Sequence, residues 1–87
     1  MAVVIYTTTY CPYCIRAKRL LDSKQMPYRE IKVDNDPAQR GEMTRLSGRH
    51  TVPQIWIGDR HVGGCDELYA LERAAGLDPL LAAERGN

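Results

Sequence analysis

Val3-Val4-Ile5-Tyr6-Thr7, a connecting Thr8-Thr9-Tyr10 and then Cys11-Pro12-Tyr13-Cys14 form the stretch on which the fold turns. Its first five residues are mostly β-branched and aromatic, the composition of a buried strand. Pro12 stands where a helix can begin, because proline is favoured in the first helical turn. From Tyr13 to Ser23, Cys14, Ala17, Leu20 and Leu21 recur at three- and four-residue spacing, while Arg16, Lys18, Arg19 and Asp22 fill the other face. That pattern predicts an amphipathic helix of about three turns, ended by Met26-Pro27. A strand therefore passes into a helix with a cysteine pair at the junction.

Working outward, Tyr28 to Val33 reads as a second strand. One helix between two strands makes a βαβ unit, usually parallel and right-handed. Asp36 followed by Pro37 is a helix start, running to about Leu46-Ser47 and closed by Gly48. Gln54 to Ile57 and Arg60 to Val62, around Gly58-Asp59, read as a β-hairpin broken by Gly63-Gly64. Asp66 is expected to cap a third helix carrying Leu68, Leu71 and Ala75 and ending at Gly76. Asp78-Pro79 starts a short fourth helix through Ala83, and Glu84 to Asn87 read as a frayed tail. The order predicts an α/β fold, a four-stranded mixed sheet with helices on both faces.

The chain has 87 residues, 44% hydrophobic and 26% charged, which excludes disorder, collagen and coiled coil and sets the expectation of one domain over 1–87. Twelve basic against eleven acidic residues leave a net charge of +1, no electrostatic reason to expect nucleic acid or an anionic membrane surface. No apolar run approaches the roughly 20 residues of a membrane span. The run from Ala2 to Tyr6 is too short for a signal-peptide core and has no basic region before it, so a cytoplasmic location is expected. Three cysteines, Cys11, Cys14 and Cys65, do not make a disulfide scaffold and point to chemistry, either redox or metal.

At the Cys11-Pro12-Tyr13-Cys14 spacing both thiols lie on one side of the first helical turn, within disulfide reach. Cys11 falls at the helix N-terminus, where unsatisfied N–H groups and roughly half a positive charge of the macrodipole favour a thiolate and lower the thiol pKa. Cys14, a turn inside, is expected to be more buried. Position thus assigns Cys11 as the attacking sulfur and Cys14 as the resolving one. The metal alternative is a Cys11, Cys14, His61, Cys65 zinc set. Against it, Gly63-Gly64 interrupts the second pair, and Cys65 lies beside a helix start; no metal is expected.

Together with Thr51-Val52-Pro53 and Gly63-Gly64-Cys65-Asp66, the cysteine motif resembles the glutaredoxin family, in its dithiol class, from about Val4 to Leu81. The resemblance implies a thioredoxin-like fold, glutathione as co-substrate and thiol–disulfide oxidoreductase activity. It implies a cis Pro53, with Thr51 and Val52 flanking a groove in which Val52 pairs strand to strand with the cysteinyl part of glutathione. It places Gly64, Cys65 and Asp66 against the γ-glutamyl end, whose carboxylate meets helix N–H groups and whose ammonium meets Asp66. Tyr13 flanks the glycine end. The chain departs from the family at Thr8, where most dithiol members carry a lysine; Arg40 is expected to take more of the glycine carboxylate's charge, with a minor contribution from His50. Implied partners are glutathione and disulfide-bonded or glutathionylated proteins, with ribonucleotide reductase a family-level candidate, and a monomer suffices. Two further alternatives remain, a carrier fed by thioredoxin reductase and an iron–sulfur scaffold built on Cys11. By themselves, Tyr6, Tyr10, Tyr28 and Trp56 read as packing residues, His50 and His61 as surface or turn residues, and Cys65 as a small buried one.

Overall fold

The computed structural model describes residues 3–85. Its elements are β1 (Val3–Thr7), α1 (Pro12–Ser23), β2 (Tyr28–Lys32), α2 (Pro37–Ser47), β3 (Gln54–Ile57), β4 (Arg60–Gly63), α3 (Cys65–Arg73) and α4 (Leu77–Arg85). The strands form one mixed sheet in the order β2-β1-β3-β4. β1 runs parallel to β2, with Val3 opposite Tyr28. It is antiparallel to β3, with Val3 opposite Ile57 and Tyr6 opposite Gln54. β3 and β4 close as a hairpin with a register shift between Ile55 and Trp56.

Alternation along β1 decides where the helices go, because successive strand side chains face opposite sides of the sheet. Val3 and Ile5 join Ala17 and Leu21 of α1, Leu68 of α3, and Leu77 and Leu81 of α4 in the main core. Tyr6 faces the other way and packs with Val33 and Met43, the latter from α2. Helices thus cover both faces, three on one side and one on the other. Polar contacts pin the thicker side: Tyr69 Oη donates to the Arg16 carbonyl at 3.1 Å, and Lys24 pairs with Glu72 and Asp78.

Four details differ from the sequence reading. Asp66 does not cap α3; the N-cap is Gly64, and Glu67 Oε1 accepts from the Gly64 N–H at 2.6 Å. A carboxylate three residues into the helix reaches back to the first orphan donor, so Asp66 is released into the first turn. Helix α3 ends at Arg73 rather than Gly76: Ala75 takes the left-handed conformation (φ 60°), and the Gly76 N–H bonds back to the Leu71 carbonyl at 2.8 Å. Helix α4 begins at Leu77 and continues to Arg85, whose guanidinium donates to the Lys24 carbonyl at the end of α1. Glu84 and Arg85 are therefore helical, while Gly86 and Asn87 of the expected frayed tail lie outside the described residues. Finally, Tyr10 is 95% exposed rather than packed, whereas His61 is half-buried against the Trp56 ring.

Candidate active site

Cys11 ends the connection from β1 in extended backbone (φ −139°, ψ 103°) and is the N-cap of α1, with Pro12 at the first helical position. Its sulfur does what a serine or aspartate oxygen does at an ordinary cap. The Cys14 N–H donates to Cys11 Sγ at 3.1 Å. Cys11 Sγ also lies 3.8 Å from the Val52 carbonyl oxygen. Cys11 is 7% exposed and Cys14 1%, the expected order. Burial, and then hydrogen bonding to Cys11, push the Cys14 thiol up to about 12. A cap-bonded sulfur with a little exposure, and a more deeply buried thiol one turn beneath it, separate the two cysteines chemically.

Opposite the sulfurs, the Val52–Pro53 peptide bond is cis. Gln54, fully buried, fixes this segment: its Nε2 donates to the Thr51 carbonyl at 3.1 Å and to Thr51 Oγ1 at 3.3 Å. Since a carbonyl only accepts, the amide oxygen of Gln54 must face away, where His61 Nε2 meets it at 2.8 Å. His61 therefore carries its proton on Nε2, and burial, with Arg49 nearby, holds its pKa below the usual histidine range. Gly63 sits at φ +115°, a conformation costly for any side chain, and a Cβ there would meet Glu67 Oε1 at 2.6 Å. Gly64 brings the start of α3 so close to Pro53 that a Cβ would lie 3.3 Å from its carbonyl oxygen.

Between these segments and α1 lies an open cleft of about 370 Å³ lined by Tyr13, Thr51, Val52, Pro53, Gly64, Cys65 and Asp66, together with Arg49 and Glu67. Seven of the residues singled out from the sequence thus converge on one cleft beside the cysteine pair. Arg40 does not line it; from α2 its guanidinium donates to the His50 carbonyl at 3.0 Å. Arg49 and Glu67 escaped the sequence reading. Arg49 Nη1 donates to Glu67 Oε1 at 3.1 Å, and the Gly64 N–H first, then Arg49, hold the Glu67 carboxyl below the usual range. The signal for Arg49 was available: a basic residue just past the closing Gly48 and two before Thr51. Cys65 is buried, which pushes its thiol up. Among the described residues no group of three or more His, Cys, Asp or Glu is gathered as a metal site.

The glutaredoxin family model matches residues 3–62. A Pseudomonas aeruginosa glutaredoxin is 62% identical over 81 residues, 93% of this chain and 96% of that protein. The chain belongs to the glutaredoxin family. Escherichia coli (strain K12) glutaredoxin 3 is 57% identical over 79 residues, 91% of this chain and 95% of its own length. A buckwheat glutaredoxin solved in complex with glutathione superposes with a TM-score of 0.88 at 34% identity, covering 94% of this chain and 77% of that one. The glutaredoxin from Brucella melitensis gives a TM-score of 0.82 at 54% identity, covering 93% and 88%. The architecture is the thioredoxin-like fold of the family, and glutaredoxin membership brings with it thiol–disulfide oxidoreductase activity.

Proposed function

We propose that this chain is a glutathione-dependent dithiol oxidoreductase that reduces protein disulfides and glutathione mixed disulfides through Cys11 and Cys14. The observation that carries the reading is the Cys14 N–H to Cys11 Sγ bond at 3.1 Å, at the N-cap of the helix whose Tyr13 lines the cleft of about 370 Å³. Donors aimed at a sulfur favour its anionic form, the form that attacks disulfides. Glutathione in the buckwheat relative supports the identity of the ligand.

In this reading the Cys11 thiolate attacks the glutathione sulfur of a mixed disulfide, and the substrate thiol leaves. A second glutathione then attacks the Cys11–glutathione bond, restoring the thiolate and forming glutathione disulfide. This route needs Cys11 alone. With a protein disulfide, Cys11 forms the mixed disulfide, Cys14 displaces the protein thiol, and two glutathiones reduce the Cys11–Cys14 bond. Thr51, Val52 and Pro53 bind the cysteinyl backbone, Gly64, Cys65 and Asp66 the γ-glutamyl end, and Tyr13 flanks the glycine end. Arg49 serves the glycine carboxylate in place of the lysine that Thr8 replaces, and Arg40 contributes through its hydrogen bond to the His50 carbonyl. Cytoplasmic glutathionylated or disulfide-bonded proteins are the proposed substrates.

A glutathione-coupled disulfide-exchange assay tests this. Cys11→Ser abolishes both routes, whereas Cys14→Ser keeps deglutathionylation and loses reduction of protein disulfides. Full activity in Cys11→Ser overturns the roles.

A further inference from the structure

Lys18 stands four residues beyond Cys14 on α1, so the two side chains leave the helix one above the other on the same face. Its ammonium is tethered from below. Lys18 Nζ donates to Glu30 Oε2 of β2 at 2.9 Å, and Thr7 Oγ1 of β1 donates to the same oxygen at 2.6 Å. Thr7 is fully buried at the end of the strand that leads to the cysteine loop. Two neighbouring strands therefore hold one cation on the helix face that Cys14 shares.

The Cys14 sulfur has a difficulty the upper one escapes. Burial, and then the hydrogen bond to Cys11, push the Cys14 thiol up to about 12, so its neutral form is favoured. In the mixed disulfide the Cys11 sulfur is bonded to the substrate sulfur, but the burial of Cys14 remains. The groups acting on Cys14 are Cys11 and Lys18 on α1 and the Thr8 backbone; Lys18 is the cation among them, and it favours the Cys14 thiolate. Facing Lys18 in turn are Glu30 and Tyr28 of β2 and Cys14 itself, with Glu30 holding the ammonium protonated above the usual lysine range. Lys32 acts on Glu30 from further along β2. Lys18 is thus a fixed charge, not a proton acceptor.

We propose that Lys18, locked by Glu30 and Thr7, is the positioning charge that stabilises the Cys14 thiolate while the mixed disulfide is resolved, and so sets how much flux takes the two-cysteine route. The inference rests on the thiol–disulfide exchange proposed above. In the step it assists, the Cys14 S–H bond breaks and the proton passes to solvent. The Cys14 electron pair forms the Cys14–Cys11 bond, and the bond from Cys11 to the substrate sulfur breaks. The departing sulfur keeps that pair and takes a proton from solvent. Over the two exchanges the substrate disulfide gains two electrons and the two cysteines lose them; Lys18 makes no bond.

The test is single-turnover reduction of a disulfide-bonded peptide by the reduced full chain, acid-quenched at intervals, with the Cys11–peptide species followed by mass. In Lys18→Met, and in Lys18→Gln as a second neutral variant, that species accumulates and decays about tenfold more slowly, the effect of one pKa unit. Its rate profile moves about one unit toward alkaline pH, and Lys18→Arg restores most of the rate. Turnover of a small glutathione mixed disulfide, which bypasses Cys14, is the internal reference. Unchanged decay in both neutral variants overturns the proposal. So does equal slowing of both reactions, which reports general damage. Absence of any exchange in the wild-type chain instead overturns the parent reading, and the inference with it.

Discussion

Two residues of one type, three apart, acquire different chemistry here because one caps a helix and the other sits a turn inside it. The Cys14 thiol, raised to about 12 chiefly by burial, holds its proton more tightly in the fold than in the unfolded chain, where a thiol titrates near 9. Its contribution to stability is therefore intact below about pH 9 and is lost progressively as pH climbs toward 12. Denaturant titrations of the reduced chain between pH 8 and 10.5 are expected to show this decline, and Cys14→Ser to lack most of it; parallel curves for the two would contradict the assignment. Iodoacetamide under the same conditions should label Cys11 well before Cys14, since the thiolate is the reactive form. The cations around the cleft sort in the same way. Arg49 lines it and Arg40 does not. Arg49→Ala is accordingly expected to raise the KM for glutathione several-fold, and Arg40→Ala to raise it less, acting only through the His50 carbonyl. Steady-state kinetics with equal effects from the two, or a larger one from Arg40, would reverse that ranking.

At the level of elements, the strands and the starts of α1 and α2 were legible because local chemistry and tertiary packing agree there. Pro12 and Pro37 each follow a capping residue, and Gly48 closes α2 with a left-handed turn. The miss at α3 has a physical cause. Gly76 reads as a helix-closing glycine, but the left-handed position falls one residue earlier, on Ala75, while the Ala75 and Gly76 N–H groups satisfy the Glu72 and Leu71 carbonyls. Ala75 thus occupies a conformation that glycine adopts without steric cost. Ala75→Gly is expected to raise stability by about 0.5–1 kcal/mol despite glycine's greater entropy when unfolded, read from the urea midpoint at constant slope. A loss of stability would show that the α3 terminus is set by packing rather than by backbone preference. Of the site, the sequence motifs marked the segments that meet. They could not mark Gln54, whose burial beneath Thr51 depends on the sheet register, nor the reach of Glu67 back to Gly64.

For the molecule as a whole, the two faces of the sheet are unequally secured. Among the described residues, eleven buried ones join α1, α3 and α4 to one face, whereas three, Tyr6, Val33 and Met43, backed by half-buried Val4, Ile31, Val52 and Trp56, hold α2 to the other. Met43 is the one buried residue that α2 contributes. Opening free energies follow such local differences in buried apolar contact, so α2 is expected to open more easily than α1 or α3. This matters for the site, because the chain leaves α2 through Gly48, Arg49 and His50 directly into Thr51-Val52-Pro53. An element loosely held on the far face thus anchors one wall of the cleft, while the cysteine wall stands on the better-secured α1. Native-state hydrogen exchange should therefore find α2 amides protected less than those of α1 and α3. Leu68→Ala, in the main core, is expected to lower protection throughout, at a cost of about 2–5 kcal/mol. Met43→Ala should instead deepen the local opening of α2 and raise the KM for glutathione while sparing the order of cysteine labelling. Uniform protection across the helices, or a Met43→Ala chain whose α1 amides lose as much as its α2 amides, would mean that the two faces unfold as one unit and that the cleft has no separately yielding wall.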